Sequence, residues 1–167
     1  MRRKYIQLLF GLLLAIPLLL VHCRPQASNV KELEWPPSLS AAVEQASTVP
    51  YCELVRNATR FNNVIVRTEA IFYKNLENSI FRDPRCSDNL TWVEFDPAYA
   101  YSSETLKNKF TELACLKQAR CEGNAQITVV GRFEGPKETG YGHLGCCPTR
   151  FLIMRIEKVE PVAAWQR

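Results

Sequence analysis

The stretches ITVVGRFE (residues 127–134) and RFLIMRIEKV (residues 150–159), separated by the glycine-rich segment GPKETGYGHLGCCPT (residues 135–149), decide the predicted fold. In both stretches apolar residues recur at alternate positions, which is the period of a β-strand with one buried face. The residues expected on that face are Ile127, Val129, Gly131 and Phe133 in the first stretch, and Leu152, Met154 and Ile156 in the second. The sequence therefore predicts two strands joined by a long loop.

The joining loop is too long for a tight hairpin. Gly140, Gly142 and Gly145 leave its backbone free to turn sharply, because glycine adopts positive φ without steric cost. Loops of this length often carry function. We therefore place a candidate binding site at this loop, which presents Tyr141 and His143 with little bulk around them.

Further elements are predicted between the N-terminal region and this unit. They are short helices over residues 38–47 and from Pro50 onward, strands at residues 64–72, 79–82 and 91–95, and a helix from Ser102 or Ser103 to about residue 119. Asparagine tolerates positive φ better than most residues, so Asn62-Asn63 supplies a turn into the first strand. A serine before the helix can accept a hydrogen bond from its first free N–H groups.

Five strands with a helix between the third and the fourth is the element order of an OB-fold barrel. A sandwich-like arrangement or an α+β sheet has a compatible order, so both stay open as alternatives. The predicted fold class is all-β to α+β: a five-stranded OB-like barrel with a helix between strands 3 and 4 and short N-terminal helices.

From residue 51 to residue 159 the chain also resembles a family of small exported bacterial proteins of unknown function with an OB-like fold. The segments that carry the resemblance are Cys52-Glu53-Leu54, Val64-Ile65-Val66-Arg67, Val130-Gly131-Arg132-Phe133, the loop Gly140-Tyr141-Gly142-His143-Leu144-Gly145, and the strand from Arg150. The glycine-histidine loop is the most specific of these. The resemblance implies a fold and an exported location, and it implies neither a reaction nor a ligand.

The N-terminal region has the pattern of a targeting segment. A basic start, Arg2-Arg3-Lys4, is followed by an apolar run over residues 6–21, and Leu20-Val21-His22-Cys23 resembles a lipoprotein box in which Cys23 would be lipidated. Ordinary cleavage and a retained membrane anchor are the alternatives. We predict a signal peptide or anchor over residues 1–23, a flexible tether over residues 24–37 and an OB-like domain over residues 38–167. The expected location is the cell envelope or periplasm, with the domain anchored to the membrane.

The charge balance argues against a nucleic-acid partner. The formal net charge is +4, but Arg2, Arg3 and Lys4 supply three of the 21 basic residues, which leaves 18 against 17 acidic residues after the leader. A nearly neutral exported part gives no support for a surface that follows a phosphate backbone. We expect no nucleic-acid binding.

The cysteine count favours disulfides. The six cysteines after Cys23 are Cys52, Cys86, Cys115, Cys121, Cys146 and Cys147. An even number behind an export signal is more readily explained by disulfides than by metal ligands, because the exported compartment is oxidising. Cys115 and Cys121 are near enough in sequence to pair locally, and adjacent Cys146 and Cys147 are expected to pair with different partners.

Catalysis and metal binding find little support in the residue types. His143 is the only histidine outside the leader, so a site with two histidine ligands cannot be built from one chain. No Gly-x-Ser-x-Gly nucleophile elbow occurs, and a strand rather than a helix follows the glycine loop, so the helix N-terminus that binds phosphate is missing. We predict no catalytic residue, no metal and no cofactor.

The expected function is therefore binding. The candidate contact residues are Trp92, Arg67, Arg132, Tyr141 and His143. Aromatic and basic side chains on exposed strands and loops are the usual contacts of OB-type binding faces. The expected partner is an envelope protein, a glycan or a small ligand. A structural envelope component is the alternative, and an enzyme or metal protein that uses His143 is the third.

Overall fold

The computed structural model describes residues 36–116 and 122–162. The elements within these ranges are α1 (Pro37–Glu44), β1 (Ser47–Thr48), α2 (Tyr51–Arg56), β2 (Val64–Lys74), β3 (Ser79–Arg82), a 3-10 turn (Pro84–Cys86), β4 (Thr91–Tyr101), α3 (Glu104–Leu113), β5 (Gly123–Glu134), a second 3-10 turn (His143–Gly145) and β6 (Thr149–Glu160). The expected signal peptide or anchor and nearly all of the expected tether lie outside the described residues. Within residues 36–116 and 122–162, no helix has the length and apolar character that crossing a membrane requires.

The strands form one mixed sheet, and the fold is α+β with few helices. Antiparallel pairs join β2 to β3, β3 to β4, β5 to β6 and β2 to β5, while β4 and β6 run parallel. Each strand from β2 to β6 is thus hydrogen-bonded to two others of this group, and β2 also pairs with β1. The strand count is six and not the expected five, because Ser47 and Thr48 add a short parallel strand beside Val66 and Arg67 of β2.

The main core lies on the inner face of these strands. Its largest fully buried side chains include Tyr51, Phe72, Phe81, Phe110, Phe133, Phe151, Ile127 and Ile153. In β5 the predicted alternation is confirmed, since Ile127, Val129 and Phe133 are all buried in this core. Gly131 continues the same row where the backbone of Leu152 and the ring of Phe151 leave no room for a Cβ atom.

In β6 the predicted buried face is only partly right. Phe151, Ile153 and Ile156 face the main core, whereas Leu152 is half-buried on the outer face. The cause is a pair of register shifts against β5. Thr128 pairs with Lys158 while Val129 pairs with Ile156, and Val130 pairs with Arg155 while Gly131 pairs with Ile153. The extra residue, Met154, therefore packs in a second cluster with Val130. A bulge changes which positions share a face, and simple alternation does not show it.

The helices cover the sheet in the places that their apolar residues dictate. On the outer face, Val43 of α1 and Ala46 pack against Val130 and Met154. Phe110 of α3 is fully buried between core aromatics, and Ser103 caps this helix by accepting a hydrogen bond from the N–H of Leu106 at 3.2 Å. The capping prediction is confirmed. The helix ends at Leu113, well before residue 119, with Ala114 as its C-cap.

The asparagine turn into β2 agrees with the prediction, whereas β4 is longer than predicted. Asn63 has φ 63°, as expected of the asparagine turn, and its N–H donates to the carbonyl of Phe133 at 2.8 Å. The predicted third strand was expected to end at Phe95. Instead β4 continues through Pro97 to Tyr101, with an irregularity between Phe95 and Ala100 in its pairing with β6.

Candidate functional site

The predicted site residue Trp92 lies on the outer face of β4, next to Arg150 of β6. The two residues are direct register partners, and Arg150 is in turn the register partner of Glu134 at the end of β5. Because side chains alternate across a strand, Trp92 and Glu94 point to the same face. The start of β4 and the two strand ends that flank the glycine loop therefore meet at one place.

Arg150 is the centre of an ion-pair network. Its Nη1 lies 2.8 Å from Oε2 of Glu94, and its Nε lies 3.0 Å from Oε2 of Glu134. Arg132 donates from Nε to the other oxygen of Glu134 at 2.9 Å, and Trp92 donates from Nε1 to Glu94 at 3.2 Å. Two arginines and two glutamates thus neutralise one another and hold the Trp92 ring in a fixed orientation.

Burial and hydrogen bonding shift the pKa values of Glu134 and Arg150 in opposite directions. Burial disfavours the ionised form of Glu134, whose side chain is only 10% exposed, but hydrogen bonds from Arg150 and Arg132 outweigh it and hold the pKa of this carboxyl below its ordinary value. Burial likewise opposes the charge on Arg150, and its bonds to Glu134 and Glu94 still raise its pKa. Glu134 and Arg150 therefore stay ionised at neutral pH.

The glycine loop lies directly over Trp92. Gly142 has φ 75°, and a Cβ atom added there would overlap the Trp92 ring. The Tyr141 ring lies 5.1 Å from the guanidinium carbon of Arg150 and 5.1 Å from Nζ of Lys137, in cation–π geometry. The loop is closed at its base by two backbone hydrogen bonds between Tyr141 and Cys147, at 2.7 and 3.3 Å. These contacts fix the loop against the network.

The tip of the loop projects two side chains into solvent. Leu144 is 92% exposed and has φ 55°, which is unusual for a residue other than glycine. His143 is exposed as well. Among the described residues, no hydrogen bond of the His143 imidazole is found.

Arg67 does not belong to this site. Its Nε lies 2.7 Å from Glu157, and its Nη1 donates to the carbonyl of Ala46 at 2.7 Å. Arg155 joins the same group by contacting both Glu157 and Glu44. Arg67 therefore holds the segment after α1 against the sheet, away from the loop. The structure groups Trp92, Arg132 and Tyr141 around Arg150, packs Gly142, the neighbour of the exposed His143, against Trp92, and pairs Arg67 with Glu157 instead.

The cysteines follow the disulfide prediction only in part. Cys52 and Cys86 are bonded, with their Cα atoms 5.7 Å apart, which ties α2 to the first 3-10 turn. Cys115 is also disulfide-bonded. Cys146 and Cys147 are free thiols, contrary to the expectation that each pairs with a different partner. Both lie at the base of the glycine loop, held there by the bridge between Tyr141 and Cys147. Cys23 and Cys121 lie outside the described residues.

One group of potential metal ligands occurs in the described part of the chain: Cys52, Asp83 and Cys86. Their ligand atoms are close together, but the two sulfur atoms are bonded to each other. The Asp83 carboxylate accepts from Nη2 of Arg85 at 2.6 Å and from its backbone N–H at 2.8 Å. The residues therefore do not fit a metal ion in this state, because thiolates are what bind the metal.

Sequence reasoning missed the three residues that organise the site and the one that projects from it: Arg150, Glu134, Glu94 and Leu144. A signal for two of them was available. Glu134 ends one strand and Arg150 begins the next, so an antiparallel pair joined by the loop places them opposite each other. Leu144 gave no signal, since its exposure depends on the path of the loop.

Comparisons with known protein families, with curated proteins and with solved structures found no match to this chain.

Proposed function

We propose that the chain is a non-catalytic binding module with an OB-like barrel, exported and tethered to the membrane. The barrel is supported by the circular strand pairing, by the parallel pairing of β4 and β6, and by the position of α3 between β4 and β5. Its binding surface is the Trp92–Arg150 network together with the loop from Gly140 to Gly145.

The observation that carries the proposal is the set of contacts that hold this loop over a fully paired ion network: Gly142 against Trp92, Tyr141 against Arg150, and two backbone hydrogen bonds at the base of the loop. A partner that docks here does not need to order the loop, so little conformational entropy is lost on binding. The exposed Leu144 offers an apolar side chain that a partner can bury, and Tyr141 and Trp92 supply aromatic surface below it. A projecting apolar side chain on a rigid loop favours an envelope protein as the partner, with a glycan or a small ligand as the alternatives.

The ion pairs at this surface argue against a nucleic-acid partner. Arg132 and Arg150 are each engaged by a carboxylate, so neither offers a free cation to a phosphate. Nucleic acid is accordingly not proposed as a partner.

The binding proposal is tested by crosslinking and capture from the native envelope with three single variants. Leu144→Ser and His143→Ala remove the projecting side chains, and we expect at least tenfold less partner recovery with an unchanged melting temperature. Leu76→Ser is the matched control. Leu76 is 69% exposed in the turn after β2, at the opposite end of the β2–β5 pair.

Three outcomes distinguish the candidate functions. Loss of the same partner by Leu144→Ser and His143→Ala, but not by the control, supports binding at the loop. Equal recovery with all three variants favours a structural envelope component. Stoichiometric zinc that disappears with His143→Ala would favour the metal-protein alternative.

Export and tethering have their own test. We expect the mature chain to fractionate with membranes. Release of Cys23→Ser into the soluble fraction would identify a lipid at Cys23 as the anchor, whereas continued attachment of an unprocessed chain would identify the leader itself. Recovery of the unsubstituted protein from cytosol would contradict both versions.

A further inference from the structure

The two free thiols at the base of the glycine loop are in close contact with each other. Sγ of Cys146 lies 2.8 Å from Sγ of Cys147, compared with 3.7 Å from the Tyr141 carbonyl oxygen, which is its other contact. A disulfide bond is ~2.05 Å long, so less than about 1 Å of movement separates the pair from bonding distance. Among the described cysteines, Cys52, Cys86 and Cys115 are disulfide-bonded, which leaves each free thiol with the other as its near neighbour.

The two thiols differ in access to solvent. Cys146 is exposed, whereas Cys147 is 0% exposed. Burial, followed by the hydrogen bond and charge of Cys146, raises the pKa of the Cys147 thiol to about 12. An external disulfide can therefore reach Cys146 but not Cys147. The pair has one thiol placed for attack on an outside molecule and a second placed for attack on the first.

A disulfide between two cysteines that are adjacent in sequence is easier to reduce than an ordinary disulfide. Consecutive Cα atoms are ~3.8 Å apart across a trans peptide bond, which is below the usual range of ~4.4 to 6.8 Å for bonded cysteines. By contrast, the 5.7 Å spacing of Cys52 and Cys86 lies within that range. Strained or exposed disulfides have higher reduction potentials and are those that exchange.

We propose that Cys146 and Cys147 are a dithiol–disulfide exchange site, with Cys146 as the attacking residue and Cys147 as the residue that displaces the bound thiol. This activity goes beyond binding and does not depend on it. The substrates are low-molecular-weight or protein disulfides in one direction and thiols in the other.

The exchange balances without a cofactor. The Cys146 thiolate attacks one sulfur of an external disulfide, forms a mixed disulfide and releases one thiolate, which takes up the proton lost from Cys146. The Cys147 sulfur then attacks the Cys146 sulfur, and the second thiol leaves with the proton of Cys147. The protein loses two electrons and two protons, and the external disulfide becomes two thiols.

The first test measures the redox state of the pair in glutathione buffers of graded ratio. Trypsin cleaves after Lys137 and Arg150, so residues 138–150 form a peptide that contains both cysteines and no others. After alkylation and digestion without reductant, we expect the peptide from oxidising buffer to carry no crosslink to another peptide. Its mass should be two hydrogen atoms lower than that of the dithiol form. It should become reduced at a thiol concentration at least tenfold lower than Cys52 and Cys86 require.

The second test traps the mixed disulfide with glutathione disulfide as the probe. Cys147→Ala should retain glutathione on Cys146, because the displacing thiol is gone, whereas the unsubstituted protein should release it. Cys146→Ala should be modified at least tenfold more slowly, since Cys147 is buried. Cys147→Ser replaces Cys147→Ala if the alanine variant does not fold, as judged by circular dichroism.

Each contrary result would overturn the proposal. These are a 138–150 peptide crosslinked to another cysteine, thiols that stay free in excess glutathione disulfide, a pair as hard to reduce as Cys52–Cys86, and equal modification of the two single variants.

Discussion

At the scale of single residues, the hydroxyl of Tyr51 connects three parts of the chain. It lies 3.0 Å from the carbonyl oxygen of Phe81, 2.8 Å from that of Asn89 and 3.0 Å from Oγ1 of Thr91. Thr91 in turn lies 2.8 Å from the hydroxyl of Thr149. Burial raises the pKa of Tyr51 well above its ordinary value, so the phenol stays neutral and hydrogen-bonded.

We expect Tyr51→Phe to lower the free energy of unfolding by about 1 to 3 kcal/mol, because it leaves buried polar groups without a partner. Urea denaturation followed by circular dichroism measures this. Tyr73→Phe is the control, since the half-buried Tyr73 ring keeps its stacking against Arg82 at 4.8 Å, and its effect should stay within about 0.5 kcal/mol. Equal losses in the two variants would show that the Tyr51 hydroxyl contributes nothing specific.

The contact between Gly142 and Trp92 is a second residue-scale prediction. Gly142→Ala introduces a Cβ atom that overlaps the Trp92 ring, at a backbone φ of 75° that alanine disfavours. We expect the free energy of unfolding to fall by about 1 to 3 kcal/mol and the tryptophan fluorescence to shift. In a Trp92→Ala background the same substitution should cost less, because only the backbone strain remains. Identical costs in both backgrounds would mean that the ring is not what Gly142 accommodates.

The sequence predicted these residues unequally. It identified Trp92 as a candidate contact residue, and the structure places this half-buried side chain on the outer face of β4. It did not predict the Tyr51 hydrogen bonds, since the partners are separated from it by 30 to 40 residues. Contacts of this kind depend on how strands are brought together and leave no local pattern.

At the scale of elements, the disulfide between Cys52 and Cys86 joins α2 to the turn before β4. The two cysteines are 34 residues apart in sequence, so the bond restricts a sizeable loop of the unfolded chain. The chain-entropy relation gives about 4 kcal/mol for a loop of this size.

We expect the double variant Cys52→Ala, Cys86→Ala to lose about 2 to 4 kcal/mol under non-reducing conditions, measured by thermal and urea unfolding. The matched control is Cys146→Ala, which replaces an exposed thiol and should change stability by less than about 0.5 kcal/mol. A double variant as stable as the unsubstituted chain would contradict the prediction.

The elements also show where sequence patterns stop being informative. Alternation located β2, the start of β4, β5 and β6, and the serine cap located α3. The same alternation gave the wrong buried face for part of β6, because Met154 is an extra residue opposite β5. A bulge is stabilised by what the extra side chain finds on the other face, here Val43 of α1, and that contact is absent from the local sequence.

At the scale of the whole molecule, the order of elements was predictable and the arrangement of charges was not. The spacing of apolar residues and the positions of turn residues depend on local structure, so both can be recognised in the sequence. The pairing of Arg150 with Glu94 joins residues 56 positions apart through a parallel strand contact. For the same reason the sequence pattern places Arg67 among the candidate contact residues, although its guanidinium pairs with Glu157 of β6, which is 90 positions away.

The distribution of ion pairs predicts how stability depends on pH. Three carboxyl groups in separate parts of the molecule have lowered pKa values: Asp83, Glu134 and Glu157. For Asp83 and Glu157 the main cause is a hydrogen bond from an arginine, Arg85 and Arg67 respectively. In Glu134 burial opposes the bonds from its two arginines, and the bonds prevail.

A carboxyl group with a lowered pKa in the folded state stabilises the fold above its unfolded pKa, which is about 4. That contribution disappears as the pH falls through the folded value, because protonation then occurs in both states. We therefore expect the free energy of unfolding to be level between about pH 6 and 7 and to fall steadily below about pH 4. Urea titrations at a series of pH values measure it.

Arg150→Gln tests the network beside the glycine loop, in which the Arg150 side chain is 28% exposed and contacts two carboxylates. At pH 7 we expect the substitution to lower the free energy of unfolding by about 1 to 3 kcal/mol. The difference from the unsubstituted chain should shrink as the pH falls, because a protonated Glu134 no longer gains from the guanidinium. Lys107→Gln, which breaks only an exposed pair with Glu104, should leave the curve unchanged. A constant difference at every pH would mean that Arg150 stabilises the fold by packing over Tyr141 and not through its charge.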